Sequence, residues 1–228
     1  MVFGKPATPG RVKTRLAATL GDREAARGYE AFFCDVVEMA RRFCDQQGWS
    51  LSLAWPDEGG DRLARFGVET CDAELVDQGQ GDLGARMKGV VEHYFEAGEE
   101  RVLIIGSDSP TLGVEHLKRA ADQLEDHHVV FGPSFDGGYY LVGCRRGSHD
   151  WGALFRDIPW STARVMEETV ARVEEAGLLY ELTEFWYDID TFEDLKLARF
   201  HLLRYIGKQR PGRARRSRQW LAELDDKK

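Results

Sequence analysis

The sequence lacks a long apolar segment, a recognisable leader and paired cysteines. Its longest apolar runs, such as Val102–Ile105, are far too short to span a bilayer. The start has no cationic stretch followed by an apolar one, as a signal peptide would. The six histidines have no metal-ligand spacing, and no C-x-x-C pair occurs among the four cysteines, Cys34, Cys44, Cys71 and Cys144. These absences argue against a membrane protein, a zinc site and a disulfide framework, and predict a cytoplasmic protein with buried free thiols.

The length of 228 residues, with 43% hydrophobic and 31% charged residues, is typical of a soluble chain with one large domain. We predict this domain over residues 1–207 and a separate tail over residues 208–228. The tail begins with six cations and no acid up to Gln219: Lys208, Arg210, Arg213, Arg215, Arg216 and Arg218. A basic run can bind nucleic acid. Because the chain as a whole carries a net charge of −8, we predict a solvated, partly disordered tail instead.

Apolar runs alternate with helical patterns along the chain. The patterns predict helices over 23–44, 83–97, 114–124, 162–176 (with Ser161 as N-cap) and 192–205. They predict strands over 50–55, 68–71, 101–105, 128–131, 139–144 and 178–182. This alternation is typical of an α/β sandwich with a largely parallel sheet. Ligands of such sheets bind beyond the carboxyl ends of the strands, so the segments that follow the strands are the candidate functional segments.

The first such segment, residues 4–16, is rich in proline, glycine and cations. It contains Lys5, Arg11, Lys13 and Arg15, and no acidic residue precedes Asp22. A P-loop would need lysine directly after its last glycine, and prolines remove amide donors that would cradle a phosphate. The cationic side chains are therefore predicted to bind an anion, and a phosphate chain fits best. The alternative is a solvated basic turn.

The run Gly79–Gly84 matches G-x-G-x-x-G and precedes a predicted helix. A dinucleotide site of the Rossmann type is one interpretation. Two features disfavour it: residues 74–77 make a poor buried strand, and Asp82 would repel a pyrophosphate. A loop whose backbone approaches a base or ribose is the other interpretation.

Carboxylates follow later strands. Asp108 comes directly after the strand at 101–105, where a divalent cation could join the protein to phosphate. Asp188 and Asp190 are two residues apart in an extended stretch, so both are expected on one side of it. An Asx turn at Asp108, and a helix N-cap at Asp190 or Thr191, are the structural alternatives. The run Asp136-Gly137-Gly138 reads first as a turn between two strands.

Taken together, these motifs resemble an uncharacterised microbial group of glycosyltransferase-like proteins. Members carry the labels nucleotide-diphospho-sugar transferase or rSAM/selenodomain-associated transferase. The resemblance covers residues 1 to about 205 and rests on five segments in order: 5–16, 81–87, 106–112, 136–143 and 188–195. It implies the nucleotide-diphospho-sugar transferase (GT-A) fold, a three-layer α/β/α sandwich with a mostly parallel central sheet. It also leads us to expect a full apolar first strand, where this chain offers only residues 1–3.

The resemblance also implies roles for individual residues. By this resemblance, the phosphates of the nucleotide would be contacted by Lys5, Arg11, Lys13 and Arg15. The base would lie near Gln80, Gly81 and Gly84. Asp108 would bind Mg²⁺ or Mn²⁺, with Asp188 or Asp190 as a second carboxylate. Gly137, Gly138 and Tyr139 would border the acceptor, and the residues expected to take part in catalysis are Lys13, Asp108 and Asp136.

The leading hypothesis is a Mg²⁺-dependent transferase that acts on a nucleoside triphosphate or a nucleotide-sugar and a small acceptor. In the nucleotidyl version, an anionic small molecule attacks the α-phosphorus and pyrophosphate leaves. In the glycosyl version, an acceptor attacks the anomeric carbon and a nucleoside diphosphate leaves. The cation-dense first loop favours a triphosphate, and the family labels favour sugar transfer. A non-catalytic nucleotide sensor and an NAD-binding enzyme are the alternatives.

Overall fold

The structure is a computed structural model that describes residues 1–56, 73–147 and 150–226. Its strands are β1 (Val2–Phe3), β2 (Ser52–Trp55), β3 (Glu74–Asp77), β4 (Arg101–Ile105), β5 (Val129–Pro133), β6 (Tyr139–Arg145) and β7 (Tyr180–Leu182). The first five helices are α1 (Thr14–Leu20), α2 (Asp22–Gln47), α3 (Leu83–Glu96), α4 (Val114–Gln123) and α5 (Trp151–Phe155). After α6 (Val165–Glu175) and α7 (Phe192–Arg199), the chain continues as a π-helical segment, Phe200–Ile206. The last helices are α8 (Gly207–Gln209) and α9 (Arg215–Asp226).

The described strands form one seven-stranded sheet in the order β3-β2-β1-β4-β6-β5-β7. Strands β3, β2, β1 and β4 run parallel, and β7 is parallel to β5. Only β6, within the described sheet, runs antiparallel to its neighbours β4 and β5. The sheet is therefore mixed and mostly parallel, as the alternation of strands and helices predicts.

Helices cover both faces of the sheet because successive side chains of a strand point to opposite faces. In β4, Leu103 and Ile105 pack with α2 and α4, whereas Val102 and Ile104 pack with α3, α5 and α6. All four side chains are at most 7% exposed. The three-layer α/β/α arrangement follows from this alternation.

Helix α2 is buried on two sides. Phe33 and its neighbours face the sheet, and Phe32 faces a further cluster formed with α1, α7, the π-helical segment and α9. In that cluster Trp220 of α9 packs edge-on against Phe32 with 5.4 Å between ring centroids. Gly28 makes room for it, because a Cβ atom at this position would lie 2.6 Å from the Trp220 ring.

The prediction of a solvated tail is wrong for residues 215–226, which form α9. Trp220 and Leu221 are at most 3% exposed. Asp35 of α2 accepts hydrogen bonds from the backbone N–H groups of Arg216 (3.1 Å) and Ser217 (2.7 Å), so a carboxylate meets the positive end of α9. The six cations make this segment look like a solvated tail in the sequence. Its apolar residues, however, recur on one face of α9, and burial of Trp220, Leu221 and Leu224 on that face attaches the helix to the domain.

Most other predicted elements are confirmed, with shifted ends. The helix expected behind Ser161 begins at Val165, and Ser161 itself has a left-handed backbone (φ 64°). Residues 74–77, expected to make a poor buried strand, form β3 at the exposed edge of the sheet. The strand predicted over residues 68–71 lies outside the described residues.

Among the described cysteines, Cys34 and Cys144 are buried and Cys44 is half-buried, all as free thiols. The prediction of free thiols is confirmed for these three. No helix in residues 1–56, 73–147 and 150–226 is both long and apolar enough to cross a membrane.

Candidate functional site

The candidate site lies at the carboxyl edge of the sheet. The loops after β1, β3 and β4 converge there with residues 188–190, and the backbone N–H of Ile189 donates to the carbonyl of Asp108 (3.0 Å). Ile189 is fully buried, so its neighbours Asp188 and Asp190 face the other way. Both line one cavity of about 210 Å³ together with Arg15 and Asp136.

The ammonium group of Lys13 lies between two carboxylates of this site. Its Nζ atom is 2.7 Å from Oδ1 of Asp108 and 2.7 Å from Oδ1 of Asp190, and its side chain is only 3% exposed. Burial alone would lower the pKa of Lys13, but the charges of Asp108 and Asp190 outweigh it and hold the pKa above its usual value. Lys13 is therefore an internal counter-ion in this arrangement, and its contact with the phosphates of a nucleotide stays a prediction.

The backbone of Lys13 is left-handed, with φ 48° and ψ 44°, where a residue other than glycine is strained. Val12 next to it is 1% exposed and packs against Tyr29 of α2. Lys13 is also the N-cap residue of α1. The buried Val12 on one side and the helix on the other hold the strained residue, and this turn directs its side chain inward.

Arg15 pairs with the same carboxylate from the exposed side. Its Nη2 atom is 2.7 Å from Oδ2 of Asp190, and its side chain is 65% exposed. Burial would raise the pKa of Asp190, but Lys13 and Arg15 hold it below its usual value. Thr191 is the N-cap of α7, with Asp194 completing a capping box, so capping does not account for Asp190.

Asp188 has a different environment. It accepts a hydrogen bond from the Ser109 hydroxyl, and burial together with the nearby charge of Asp108 raises its pKa to about 7. Oδ1 of Asp108 is itself buried and has no hydrogen-bond partner apart from its ion pair with Lys13. Two carboxylates that disfavour each other's charge form a donor set that suits a hard divalent cation.

Asp108 and Asp188 are therefore the residues that could hold a metal ion. Within the described residues, no three His, Cys, Asp or Glu side chains are grouped to hold one by themselves. Mg²⁺ commonly takes one or two protein carboxylates, with phosphate oxygens and water as the remaining ligands. Asp190, expected as a further metal ligand, is instead paired with Lys13 and Arg15 because both cations reach it.

Replacing Lys13 by methionine is expected to lower the free energy of unfolding by about 2 kcal/mol without divalent cations. Breaking a fully buried ion pair would lower the free energy of unfolding by more. The loss is smaller here because water still reaches Asp108 and Asp190, which keep about a third of their side-chain surface exposed. Millimolar Mg²⁺ or Mn²⁺ should restore part of the loss, because the freed carboxylates then have a cation. Urea unfolding with chelator and with metal measures both effects. The exposed Arg11→Met is the control, and an unchanged Lys13→Met protein would contradict the ion-pair arrangement.

The other cations of the first loop are placed differently. Lys5 and Arg11 are exposed, and Nζ of Lys5 lies 5.9 Å from the centre of the Tyr29 ring. The Tyr29 hydroxyl accepts from the Lys5 backbone N–H (3.1 Å) and shares a hydrogen bond with Ser107 (3.0 Å). Tyr29 thereby ties the first loop to the loop that carries Asp108.

The glycine-rich loop only partly matches its predicted role. Gln80 and Gly81 are exposed at the end of β3, and Asp82 caps α3 by accepting from the Ala85 N–H (2.8 Å). Gly84 is buried, and a Cβ atom there would lie 2.4 Å from the Phe155 carbonyl oxygen. Its small size serves packing, and the prediction that Gly84 lies near the base stays a prediction.

Asp136 lies in the lining of the cavity, at the turn between β5 and β6. Oδ1 of Asp136 accepts from the Ser134 hydroxyl and from the Gly138 N–H (3.0 Å), which closes the turn between β5 and β6. Gly137 has φ 89°, and a Cβ atom there would meet the Ala163 backbone at 2.2 Å. The Tyr139 hydroxyl is buried, and burial raises its pKa. Contact of Tyr139 with an acceptor stays a prediction.

Sequence reasoning missed four residues that support the site: Tyr29, Gln78, Arg86 and Ser109. The buried amide of Gln78 donates to the carbonyls of Gly4 (2.7 Å) and Ala54 (2.8 Å) and so joins three strand ends. Arg86 donates to the Gly81 carbonyl (3.0 Å) and places a cation beside the glycine-rich loop. The run Gly81–Met87 contains Arg86, but no local pattern indicates that it folds back on its own loop.

Comparison with known proteins places the chain in a family. A family model described as "Uncharacterized protein conserved in bacteria (DUF2064)" matches residues 39–162. The solved structure of a protein called a putative nucleotide-diphospho-sugar transferase, from Desulfovibrio desulfuricans G20, is 30% identical with a TM-score of 0.84. That match covers 99% of this chain and 94% of the other. The chain belongs to the DUF2064 family. No curated protein sequence matches this DUF2064 protein.

More distant structures share the fold of this DUF2064 protein. A 4-diphosphocytidyl-2C-methyl-D-erythritol synthase from Anaerococcus prevotii DSM 20548 is 11% identical with a TM-score of 0.55, over 76% of this chain and 86% of the other. A cytidylyltransferase from Leptospira borgpetersenii is 12% identical with a TM-score of 0.53, over 99% and 93% of the two chains. The predicted nucleotide-diphospho-sugar transferase fold is confirmed, and this DUF2064 protein is an enzyme of the transferase class.

Proposed function

We propose that this protein is a divalent-metal-dependent nucleotidyltransferase, which moves a nucleotidyl group from a nucleoside triphosphate to a small acceptor. The observation that carries the proposal is the meeting of Lys13 with Asp108 and Asp190 at the carboxyl edge of the sheet. A buried cation paired with two carboxylates supports the proposal, because it marks this point as one where negative charge is gathered and offset. Mg²⁺ or Mn²⁺ on Asp108 and Asp188 would supply more of it and would neutralise charge on the phosphates.

Each group of the site then has a task. The exposed cations Lys5 and Arg11 would contact the phosphate chain, and the exposed backbone at Gly81 would lie near the base or ribose. Lys13 and Arg15 would keep Asp190 charged and in place beside the reacting groups. These residues position the substrate and offset charge, which is the main requirement of phosphoryl chemistry.

The reaction would proceed by attack of an acceptor oxygen on the α-phosphorus. A new oxygen–phosphorus bond forms, the bond from the α-phosphorus to the bridging oxygen breaks, and pyrophosphate leaves with the electron pair. When the acceptor is a hydroxyl group, its proton would pass to the carboxylate of Asp136, which is exposed at the edge of the same cavity.

Glycosyl transfer from a nucleotide-sugar is the second candidate. The 30% identical relative is called a nucleotide-diphospho-sugar transferase, which favours this version. The same site would serve it, because the leaving nucleoside diphosphate also places its charge beside Asp108 and Asp188. The product distinguishes the two: pyrophosphate in the first case and a nucleoside diphosphate in the second.

Thermal unfolding with a ligand panel tests the proposal. Nucleoside triphosphates, nucleotide-sugars and NAD are added with Mg²⁺, with Mn²⁺ and with chelator. A ligand at a hundred times its dissociation constant should add about 2.7 kcal/mol, or roughly 5–10 °C for a chain of this size. We expect this stabilisation from a triphosphate in the presence of metal only. Stabilisation by NAD alone, without metal dependence, would overturn the proposal.

A further inference from the structure

We infer that the acceptor of the proposed reaction is an uncharged, hydroxyl-bearing ring compound that binds in the cavity between Asp136 and Asp188. The inference rests on the proposed function and names the class of its second substrate. It departs from the anionic acceptor that the sequence suggests. Three features of the cavity carry it: its charge, the exposed carboxylate of Asp136, and an exposed aromatic surface.

The cavity has no cation to spare for an anionic acceptor. Among the described residues that line it, Arg15 is the only basic one, and its guanidinium already pairs with Asp190. Four carboxylates share the lining: Asp136, Asp188, Asp190 and Asp194. A phosphate or carboxylate group placed beside Asp136 and Asp194 would meet like charges, and the proposed metal ion on Asp108 and Asp188 would already be engaged by the phosphates of the nucleotide.

Three of these carboxylates are engaged. Asp190 is held by Lys13 and Arg15, Asp188 accepts from Ser109, and Asp194 accepts from the N–H groups of Asp190 (3.1 Å) and Thr191 (2.7 Å). Asp136 differs from the other three because it is exposed, and both of its hydrogen bonds use Oδ1. Within the described residues no hydrogen bond or ion pair uses its Oδ2. The Oδ2 atom can therefore accept a hydrogen bond from a hydroxyl group of an acceptor in the cavity.

An aromatic surface adjoins this oxygen. Phe135 lines the cavity with 73% of its surface exposed, and it stacks on Phe185, which is 56% exposed. The ring centroids are 5.8 Å apart and the planes 27° from parallel. Two large apolar rings exposed side by side are costly unless a ligand covers them. The C–H-rich face of a saturated polyhydroxylated ring fits both features, because it can cover the rings while its hydroxyl groups reach Asp136.

Saturation-transfer NMR on the full chain, with Mg²⁺ and the stabilising nucleotide present, tests this inference. The probes are methyl hexosides and inositol, each measured beside its monophosphate. We expect each uncharged compound to bind at least about tenfold more tightly than its phosphate. Phe135→Ala and Asp136→Asn should each weaken binding by about tenfold. Phe200→Ala is the matched control, because Phe200 is also exposed (65%) but belongs to the π-helical segment, and it should change binding less than about twofold.

The outcomes separate the two proposals. Tighter binding of the phosphates, or wild-type affinity in both Phe135→Ala and Asp136→Asn, would overturn the acceptor class. The same follows if no uncharged ring compound binds to a protein that metal and nucleotide demonstrably stabilise, and the proposed function then stands. If metal and nucleotide do not stabilise the protein, the proposed function fails and the acceptor inference fails with it.

Discussion

Replacing Asp108 by asparagine is expected to lower turnover by on the order of a thousandfold and to abolish stabilisation by Mg²⁺ or Mn²⁺. Asparagine keeps the shape of the side chain but removes the charge that faces both Lys13 and Asp188. The pair proposed to bind the metal, Asp108 and Asp188, then has one carboxylate. A nucleotide should still bind weakly through the exposed cations Lys5 and Arg11, so its remaining stabilisation should no longer depend on metal.

The control for this variant is Asp122→Asn. Asp122 lies on α4, is exposed, and among the described residues forms an ion pair only with Lys118, one helical turn away (2.8 Å). Its loss should leave turnover and metal dependence unchanged, with at most about 0.5 kcal/mol lost from stability. Turnover is measured as release of pyrophosphate or nucleoside diphosphate. Wild-type turnover in Asp108→Asn would show that Asp108 does not hold the metal.

Removing residues 208–228 is expected to lower the free energy of unfolding by at least about 5 kcal/mol. Trp220, Leu221 and Leu224 are buried against α2 and the π-helical segment, and their loss would expose Phe32 as well. For a chain of this size that corresponds to a fall in the melting temperature of roughly 10–20 °C. The sequence alone predicts the opposite, since a solvated tail could be removed without effect.

The same deletion should impair nucleotide binding. Arg213 of the tail donates to the carbonyl of Thr111 (3.2 Å), in the loop that carries Asp108, and pairs with Glu115 (3.1 Å). Trp220→Ala isolates the packing contribution and should cost about 3 kcal/mol. The adjacent, exposed Gln219→Ala should cost little, because it removes no buried surface. A shortened chain with the wild-type melting temperature would show that α9 does not stabilise the domain.

The candidate site was predictable in part because its residues follow strands. Lys13, Asp108 and Asp188 each come after an apolar run or in an extended stretch, and the rule for parallel sheets places such segments at one edge. Their roles were harder to predict. Whether a cation faces solvent or a carboxylate depends on atoms 177 residues away along the chain, as in the pair formed by Lys13 and Asp190. No local pattern contains that information.

The run Gly79–Gly84 and the Asp136-Gly137-Gly138 turn also show that a local motif does not determine what its residues contact. Gly81 and Gly84 have equal weight in a sequence motif, yet one is exposed at a strand end and the other is packed under the Phe155 carbonyl. Tyr139 likewise follows the Asp-Gly-Gly turn in sequence, but the alternation of the strand turns its side chain into the core. A one-residue difference in register decides between ligand contact and packing.

By itself, the sequence determined the alternating strands and helices, the mostly parallel sheet and the edge at which the charged loops meet. These features follow from apolar periodicity and turn residues, which are local properties of the chain. Only the tertiary structure decided that Lys13 pairs with Asp108 and Asp190, and that Arg15 pairs with Asp190 as well. Only the tertiary structure decided that the end of the basic tail packs into the core. Each of these features depends on contacts between residues far apart in the chain. Each also depends on burial, which sets how strongly neighbouring charges interact.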